Sequence, residues 1–236
     1  MYLSRYCVHK ALMEEQKNIR QWLDTNLCKW ASYFAQYVKN DMTSFSLPET
    51  MRTFPQYIYH LRRSNFINRF GSSLDESFYR AFILNRENVS NCTTMIQPVL
   101  LKYSLDNLEP EPVPLDEEEM QDDVVLLLDS YFNVIEWYGP NIQNWYEEGY
   151  HEMPEYDYIK QLLDAPKQDV DYIMSTRFPV ANYYLTHPNH SKERYLKSRV
   201  NPRKTGMENE NTITDDSDLK AFSEHLVKVV TTQNIN

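Results

Sequence analysis

The stretch that decides the fold is Val124-Val125-Leu126-Leu127-Leu128-Asp129, an unbroken apolar run that ends on a carboxylate. A strand with one face in water alternates apolar and polar side chains, whereas this run does not alternate. We therefore predict a β-strand that is buried on both faces. Such a strand lies inside a sheet, and other layers of the domain have to cover its two faces.

Further strand-like runs lie on both sides of this central strand. Short apolar segments bounded by proline and polar turns predict strands over residues 94–105, 131–138, 180–185 and 194–200. The segment 106–123 contains several prolines, each of which fixes φ and lacks an N–H donor, so we expect an extended loop there. Helices are predicted over residues 141–148, 155–164 and 168–176. We expect Pro166 at the first helical position of the last one.

Before residue 90 the apolar residues recur at the spacing of a helix. One face of a long amphipathic helix is predicted from Ile19, Leu23, Leu27, Trp30, Phe34, Tyr37 and Val38. Further helices are predicted over residues 54–70 and 75–85, with Ser73 as an N-cap before Glu76. A last helix follows the oxygen-rich residues 214–217, and its apolar stripe consists of Leu219, Phe222, Leu226 and Val229.

These patterns predict an α+β protein with two parts. Residues 1–90 form a helical-bundle segment, and residues 91–236 form an α/β domain with a central mixed sheet flanked by helices. The 236 residues are 42% hydrophobic with only four glycines, which is typical of a globular chain with a buried core. No apolar run approaches a membrane span and residues 1–10 lack a signal-peptide core, so we expect a soluble cytosolic protein.

The negative charge of the chain is local. The formal net charge is −10, and ten of the 34 acidic residues lie between Asp106 and Asp129, where there is no Lys or Arg. The other 24 acidic residues balance the 24 basic ones, so we expect no nucleic-acid partner and no attraction to an anionic membrane. The acidic segment lacks the spacing of a calcium loop and predicts a solvated loop. Whether it docks a basic segment or only aids solubility stays open.

Motifs that carry catalytic or metal chemistry are missing from the sequence. Cys7, Cys28 and Cys92 form no C-x-x-C pair, so we expect buried free thiols and no zinc site within the chain. His187 and His190 are three residues apart, and without a third ligand nearby they indicate a polar turn more than a metal site. No phosphate-binding glycine loop, zinc-protease motif or serine-hydrolase motif occurs.

Several longer runs occur in a fixed order along the chain. They are His60-Leu61-Arg62-Arg63-Ser64 with Phe66, Met95-Ile96-Gln97-Pro98, Leu126-Leu127-Leu128-Asp129-Ser130-Tyr131-Phe132, Leu162-Leu163-Asp164-Ala165-Pro166, Arg177-Phe178-Pro179, Val200-Asn201-Pro202, Thr214-Asp215-Asp216, and Phe222 with His225-Leu226. The chain thereby resembles the C-terminal third of the GTPase-activating subunit of the inner COPII vesicle coat. The resemblance extends from Ile19 to Val230, nearly the whole chain.

The resemblance implies both an architecture and a role. It implies a helical domain, incomplete at its N-terminus, followed by a gelsolin-like domain, with the zinc ribbon, trunk and β-sandwich of the family upstream of this chain. It implies no cofactor within these residues. The partners it implies are the coat's small GTPase, the cargo-binding inner-coat subunit and the outer-coat subunit, on the cytosolic face of the endoplasmic reticulum membrane. The protein would act there peripherally, in transport to the Golgi.

The residue that the resemblance singles out is Arg194. The family's motif is a serine, two residues, the inserted arginine, an aromatic residue and a leucine, which correspond here to Ser191, Arg194, Tyr195 and Leu196. Such an arginine is supplied in trans to the GTPase, so the chain is expected to be an activator and not itself an enzyme. Two glycines that usually precede the serine are Asn189 and His190 here.

Arg62, Arg63 and Arg199 are interpreted apart from this site. We expect Arg62 and Arg63 to be structural cations of the helical part, and Arg199 matches no functional position. Two further hypotheses about function remain. One is a purely structural coat module that docks the outer coat without a catalytic contribution. The other is a calcium-regulated actin-binding module, which rests on analogy of fold alone.

Overall fold

A computed structural model describes residues 1–68, 73–202 and 217–232. The helices are α1 (Tyr2–Met13), α2 (Gln16–Phe34), α3 (Phe54–Arg63), α4 (Leu74–Arg86), α5 (Val89–Ile96), α6 (Pro140–Glu147), α7 (Asp157–Thr176), α8 (Glu193–Lys197) and α9 (Leu219–Thr232). The strands are β1 (Gln36–Val38), β2 (Asp41–Ser46), β3 (Val99–Ser104), β4 (Glu111–Val113), β5 (Val124–Asp129), β6 (Asn133–Tyr138) and β7 (Asn182–Thr186). No helix within the described ranges is both long and apolar enough to cross a membrane.

The chain divides into two compact units. The first comprises Met1–Gln97 with Lys204–Asn236, and the second comprises Pro98–Arg203. The first unit is helical with one small hairpin, and the second contains a five-stranded sheet with helices, so the predicted α+β class is confirmed. The boundary that we expected at residue 90 falls inside α5. The last helix, which we expected in the second domain, belongs to the first unit.

Helix α2 supplies the first part of the predicted apolar face, whereas Phe34, at its end, is exposed. Its buried residues follow helical spacing: Ile19, Leu23, Leu27 and Ala31. The predicted face continued to Val38, whereas the chain leaves the helix after Phe34 and forms the antiparallel hairpin of β1 and β2. Asn40 has a φ of 63° at the hairpin turn, a left-handed conformation that asparagine tolerates better than most residues. Hairpin pairing therefore overrides the continued helical pattern.

The middle helices of the first unit agree with the sequence predictions in part. Helix α3 ends at Arg63, and residues 69 and 70 of the predicted helix lie outside the described residues. The predicted N-cap is confirmed, because the Ser73 hydroxyl accepts the Glu76 N–H at 3.1 Å. Residues 94–96 belong to α5 and not to a strand as predicted, because Asn88 caps that helix at 2.9 Å and Pro98 follows its end.

Helix α9 packs against α2, α3 and the hairpin strand β2. Its side chains Phe222, Leu226 and Val230 are buried, and the Phe222 and Tyr59 rings lie 5.5 Å apart. The cap is Asp218, whose carboxylate accepts the Ala221 N–H at 2.6 Å. The expected capping residues 214–216 lie outside the described residues. An apolar stripe in the sequence indicates that a helix packs against a hydrophobic core. It does not indicate which unit provides that core.

The second unit is organised around a mixed sheet with the strand order β4-β3-β5-β6-β7. All pairs are antiparallel except the parallel pair of β6 and β7. All six residues of β5 are buried, which confirms the strand buried on both faces that the sequence predicts. Val125 and Leu127 pack with residues of α6 and α7, whereas Leu126 and Leu128 pack with Leu196 and its neighbours around α8.

Two predictions for the second unit are wrong. Residues 157–176 form the single helix α7 with Pro166 inside it, where two helices were predicted. Residues on both sides of the proline, including Leu162, Leu163 and Ile173, pack on the sheet, and this packing maintains the helix across the missing N–H bond. Residues 193–197 form α8 and not a strand. The buried apolar side chains between residues 193 and 200 are Leu196 and Val200, whose spacing of four is that of a helix.

A buried ion pair joins the end of β5 to the end of α7. The guanidinium of Arg177 forms two parallel hydrogen bonds with the Asp129 carboxylate, and the Nη2–Oδ2 distance is 2.6 Å. Asp129 also accepts the N–H of Tyr131 at 2.8 Å, and Tyr131 has a φ of 72° in the turn to β6. Arg177 lies 4.8 Å from the centre of the Tyr131 ring. One carboxylate therefore fixes both a left-handed turn and the position of the α7 end.

Loss of this pair should be strongly destabilising. Arg177→Ala leaves a buried carboxylate without its cation, so we expect the free energy of unfolding to fall by about 3–5 kcal/mol. Lys167→Ala is the matched control, since its pair with Asp164 has side chains 66% and 45% exposed, against 11% and 10% for Arg177 and Asp129. We expect the control to change stability by less than about 1 kcal/mol in urea unfolding. Equal effects of the two variants would contradict this interpretation.

The burial of Glu136 in β6 should make the free energy of unfolding depend on pH. The residue is 2% exposed, and burial raises the pKa of its carboxyl above the ordinary value of 4.5, although hydrogen bonds from Tyr183 and Tyr138 act in the opposite direction. The folded state therefore holds this proton more tightly than the unfolded state. The free energy of unfolding should fall as the pH rises from about 4.5 to the raised pKa, and this contribution stays lost above it.

Glu136→Gln should remove that dependence. We expect the variant to be more stable than the wild type at pH 7, with the difference shrinking as the pH falls from the raised pKa toward 4.5. Urea unfolding at pH 4 and pH 7 measures the difference. Glu155→Gln, which changes an exposed carboxylate, is the control and should show no such trend. A Glu136→Gln variant that is less stable than the wild type at pH 7 would contradict the prediction.

Candidate functional site

The candidate site is the segment that leads from β7 into α8. Strand β7 ends at Thr186, residues 187–192 turn back, and α8 begins at Glu193. Arg194 lies in the first turn of this short helix and its side chain is exposed. Leu196, two residues later, is fully buried against the sheet face formed by Leu126 and Leu128. The helix therefore has one side in the core, and the arginine lies on the side that faces water.

Two tyrosines support the exposed cations of the segment. The rings of Tyr184 and Tyr195 stack with their centres 5.4 Å apart and an interplanar angle of 16°. The guanidinium carbon of Arg194 lies 5.2 Å from the centre of the Tyr195 ring, and Lys192 Nζ lies 4.6 Å from that of Tyr184. Both distances fall within the range of cation–π attraction. The Arg194 guanidinium thus lies against an aromatic surface and stays accessible to a partner.

Hydrogen bonds within the turn define its shape. Asn189 has a φ of 65°, and its N–H donates to the Glu193 carboxylate at 3.1 Å. His190 Nδ1 lies 3.1 Å from the hydroxyl of the buried Thr186, and the Lys192 N–H points to the same nitrogen at 3.4 Å. Of the two positions where the family has glycine, residue 189 takes the left-handed conformation, which asparagine tolerates. His190 is not among the described residues with positive φ.

In the part of the chain that the structure describes, the other titratable groups form neither a metal site nor a reactive thiol. The His187 and His190 rings lie 5.1 Å apart, and the described residues contain no group of three or more His, Cys, Asp or Glu side chains arranged for a metal ion. Cys7 and Cys92 are buried free thiols as predicted, whereas Cys28 is half-buried. Burial raises the pKa of Cys7 to about 12 and that of Cys28 to about 11, which disfavours the reactive thiolate.

The structure agrees with the structural interpretation of Arg62, which has an acidic partner, and places Arg63 against a tyrosine. Arg62 is 6% exposed, pairs with Asp24 at 2.9 Å and lies 5.4 Å from the Phe222 ring centre. Arg63 donates to the Tyr59 hydroxyl at 2.7 Å. These contacts lie within the helical unit. Both arginines therefore stabilise its packing.

The acidic segment is more ordered than the predicted solvated loop. Strand β4 pairs with β3 at the edge of the sheet although it contains Pro112, a position that an edge strand allows. Asp116 accepts the Asn201 amide at 2.9 Å, and Lys102 pairs with Glu119 at 3.0 Å. The contact between Asp116 and Asn201 also fixes the chain just after α8.

Two residues of the site were missed in the sequence analysis. Glu193 is 6% exposed and pairs with Lys197 at 3.0 Å, and Tyr184 supplies the stacking partner of Tyr195. The spacing of four between Glu193 and Lys197 is a helical signal that could have corrected the predicted strand. The contact between Tyr184 and Tyr195 has no signal in the sequence, because it depends on the turn between them.

Comparison with known proteins agrees with this architecture. Residues 1–94 match the family model for the Sec23/Sec24 helical domain, and residues 106–172 match that for the gelsolin repeat. The crystal structure of the human COPII-coat protein Sec24c is similar to this chain, with a TM-score of 0.73 at 16% sequence identity. The similarity covers 97% of this chain and 32% of that one, so the chain spans about a third of its length.

The fold and the two matched models together define a helical domain followed by a gelsolin-like domain. Residues 1–94 therefore resemble a Sec23/Sec24 helical domain and residues 106–172 resemble a gelsolin repeat, and the similarity to Sec24c agrees with this fold. These findings do not distinguish a Sec23 from a Sec24.

The left-handed turn residue before Arg194 provides a test of the geometry. Asn189→Gly should leave the free energy of unfolding nearly unchanged, because glycine adopts a φ of 65° readily. Asn189→Val should lower it by about 1–2 kcal/mol, since a Cβ-branched residue is strained there. Ser191→Ala, at an exposed position of the same turn, is the control and should change little. Urea unfolding of the three variants decides, and a tolerated valine would rule out the left-handed turn.

Proposed function

We propose that the chain belongs to a COPII coat subunit that stimulates GTP hydrolysis by the coat's small GTPase, with Arg194 as the residue inserted in trans. The observation that carries the proposal is the exposed guanidinium at the head of α8, supported by Tyr195 and anchored through the buried Leu196. The match to the Sec23/Sec24 helical domain and the gelsolin repeat supports the coat assignment.

The chemistry expected of Arg194 follows from the reaction. During GTP hydrolysis, negative charge spreads over the oxygens of the transferred phosphoryl group and the leaving group. A guanidinium offers five N–H donors in a planar fork and keeps its charge at any physiological pH. Such a residue accelerates GTP hydrolysis by roughly 10³- to 10⁵-fold. The chain would supply this group and would not bind the nucleotide by itself, so it is an activator and not an enzyme.

The proposed role includes a set of partners and a location. We expect the small GTPase of the coat to meet the α8 side of the gelsolin-like unit. The cargo-binding inner-coat subunit and the outer-coat subunit are further partners within the same assembly. The assembly would lie peripherally on the cytosolic face of the endoplasmic reticulum membrane and on transport vesicles.

Removal of the guanidinium is the direct test. Arg194→Ala in the natural gene product should lower the single-turnover rate of GTP hydrolysis at least tenfold, because the charge on the phosphoryl oxygens loses its partner. Arg194→Lys should recover only part of the rate, since an ammonium lacks the planar fork. The rate is measured with GTP-loaded GTPase and saturating coat protein on liposomes.

Arg199→Ala is the matched control for this test. It removes a half-buried arginine from the same segment, five residues away, and should leave the rate within about twofold, because no contact with the GTPase is proposed for it. An Arg194→Ala variant with the wild-type rate would refute the proposed function.

A purely structural coat module is the second candidate. It rests on the fold shared with the COPII-coat protein Sec24c over 97% of this chain, since a shared fold by itself assigns no catalytic role. A structural module predicts that Arg194→Ala leaves both coat assembly and GTP hydrolysis unchanged. Liposome flotation of the coat with the same variants measures assembly independently of hydrolysis.

A further inference from the structure

The residue directly before the exposed arginine is a buried carboxylate. Glu193 is 6% exposed although it lies in the first turn of a helix on the surface of the gelsolin-like unit. A buried charge is costly unless cations and hydrogen-bond donors surround it. The contacts of Glu193 therefore indicate what this side chain does for the segment.

Glu193 connects the two ends of the turn that leads to Arg194. Its Oε2 accepts the N–H of Asn189 at 3.1 Å, and its own N–H donates to the carbonyl of His190 at 3.0 Å. Lys197, one helical turn further on, lies 3.0 Å from the same carboxylate oxygen and neutralises it. The Glu193 side chain thus accepts the N–H of the left-handed residue Asn189. It thereby closes the turn and connects it to α8.

The contacts of Glu193 restrict the direction in which the Arg194 side chain leaves the backbone. The Arg194 backbone follows Glu193 immediately, and its side chain has many rotatable bonds that water-exposed contacts restrain weakly. A fixed turn reduces the number of orientations that the guanidinium can adopt. The contact with the Tyr195 ring reduces that number further. A misplacement of about 1 Å in a catalytic group can cost up to a hundredfold in rate. A rigid turn would therefore increase the rate of GTP hydrolysis.

We propose that Glu193 is a positioning residue for Arg194: its buried carboxylate closes the 189–193 turn and sets the direction in which the guanidinium leaves the protein. This inference rests on the proposed function. Glu193 is not a catalytic residue, because it would touch neither the nucleotide nor the GTPase.

Two substitutions of similar size separate hydrogen bonding from charge and packing. Glu193→Gln retains an oxygen that accepts the Asn189 N–H, whereas Glu193→Met fills the same space without an acceptor. Both remove the negative charge that Lys197 neutralises, and only Glu193→Gln keeps an oxygen that can accept hydrogen bonds. We expect Glu193→Met to lower the maximal single-turnover rate of GTP hydrolysis by about tenfold, and Glu193→Gln to retain it within about threefold.

The readouts distinguish positioning from a general loss of structure. The concentration of coat protein that gives half the maximal rate should stay within about twofold in both variants, since docking is unaffected. The double variant Glu193→Met with Arg194→Ala should be no slower than Arg194→Ala alone, because the two residues act as one unit. The Asn189 amide should exchange with solvent faster in Glu193→Met than in Glu193→Gln.

Each contrary result has a distinct meaning. A normal rate in Arg194→Ala overturns the proposed function and this inference with it. A slow Arg194→Ala together with a normal rate in Glu193→Met overturns the inference alone. Equal losses in Glu193→Gln and Glu193→Met, or a further loss in the double variant, also overturn it, because charge or packing would then account for the effect.

Discussion

The second unit has a central strand, β5, that must be kept from water on both faces. Every residue from Val124 to Asp129 is buried, so the sheet needs α6 and α7 on one side and the segment around α8 on the other. Covering apolar surface in this way is the largest favourable contribution to folding. The segment that carries Arg194 is therefore part of a layer that the core requires, and it is not a free appendage of the sheet.

Two buried carboxylates of this unit lie where its chain reverses direction. Asp129 holds the left-handed Tyr131 and pairs with Arg177, and Glu193 holds the left-handed Asn189 and pairs with Lys197. In both cases a buried carboxylate accepts the N–H of a strained turn residue while a cation balances its charge. The two turns differ in the segment that follows each of them. The first leads into the buried strand β6, and the second leads to an exposed cation.

An inserted arginine faces two opposing physical demands. Its charge has to remain in water until a partner arrives, and its direction has to be restricted before that encounter. If Arg194 acts as proposed, separate contacts would meet the two demands. Leu196 fixes the helix in the core, the Tyr195 ring lies against the guanidinium, and Glu193 fixes the turn. Arg194 itself remains exposed.

The sequence by itself determined the elements whose signal is local. It specified the buried strand β5, the apolar face of α2, the Ser73 cap and the order of a helical part before a sheet, because periodicity and capping depend on neighbouring residues. It also pointed to Arg194 through a resemblance. Only the tertiary structure decided that residues 193–197 form a helix, that α7 continues through Pro166, and that α9 packs on the first unit. These outcomes depend on which apolar surface is available to each segment. The burial of Glu193 also depends on the tertiary structure, because Asn189 and Lys197 come close to its carboxylate only once the turn and α8 have formed.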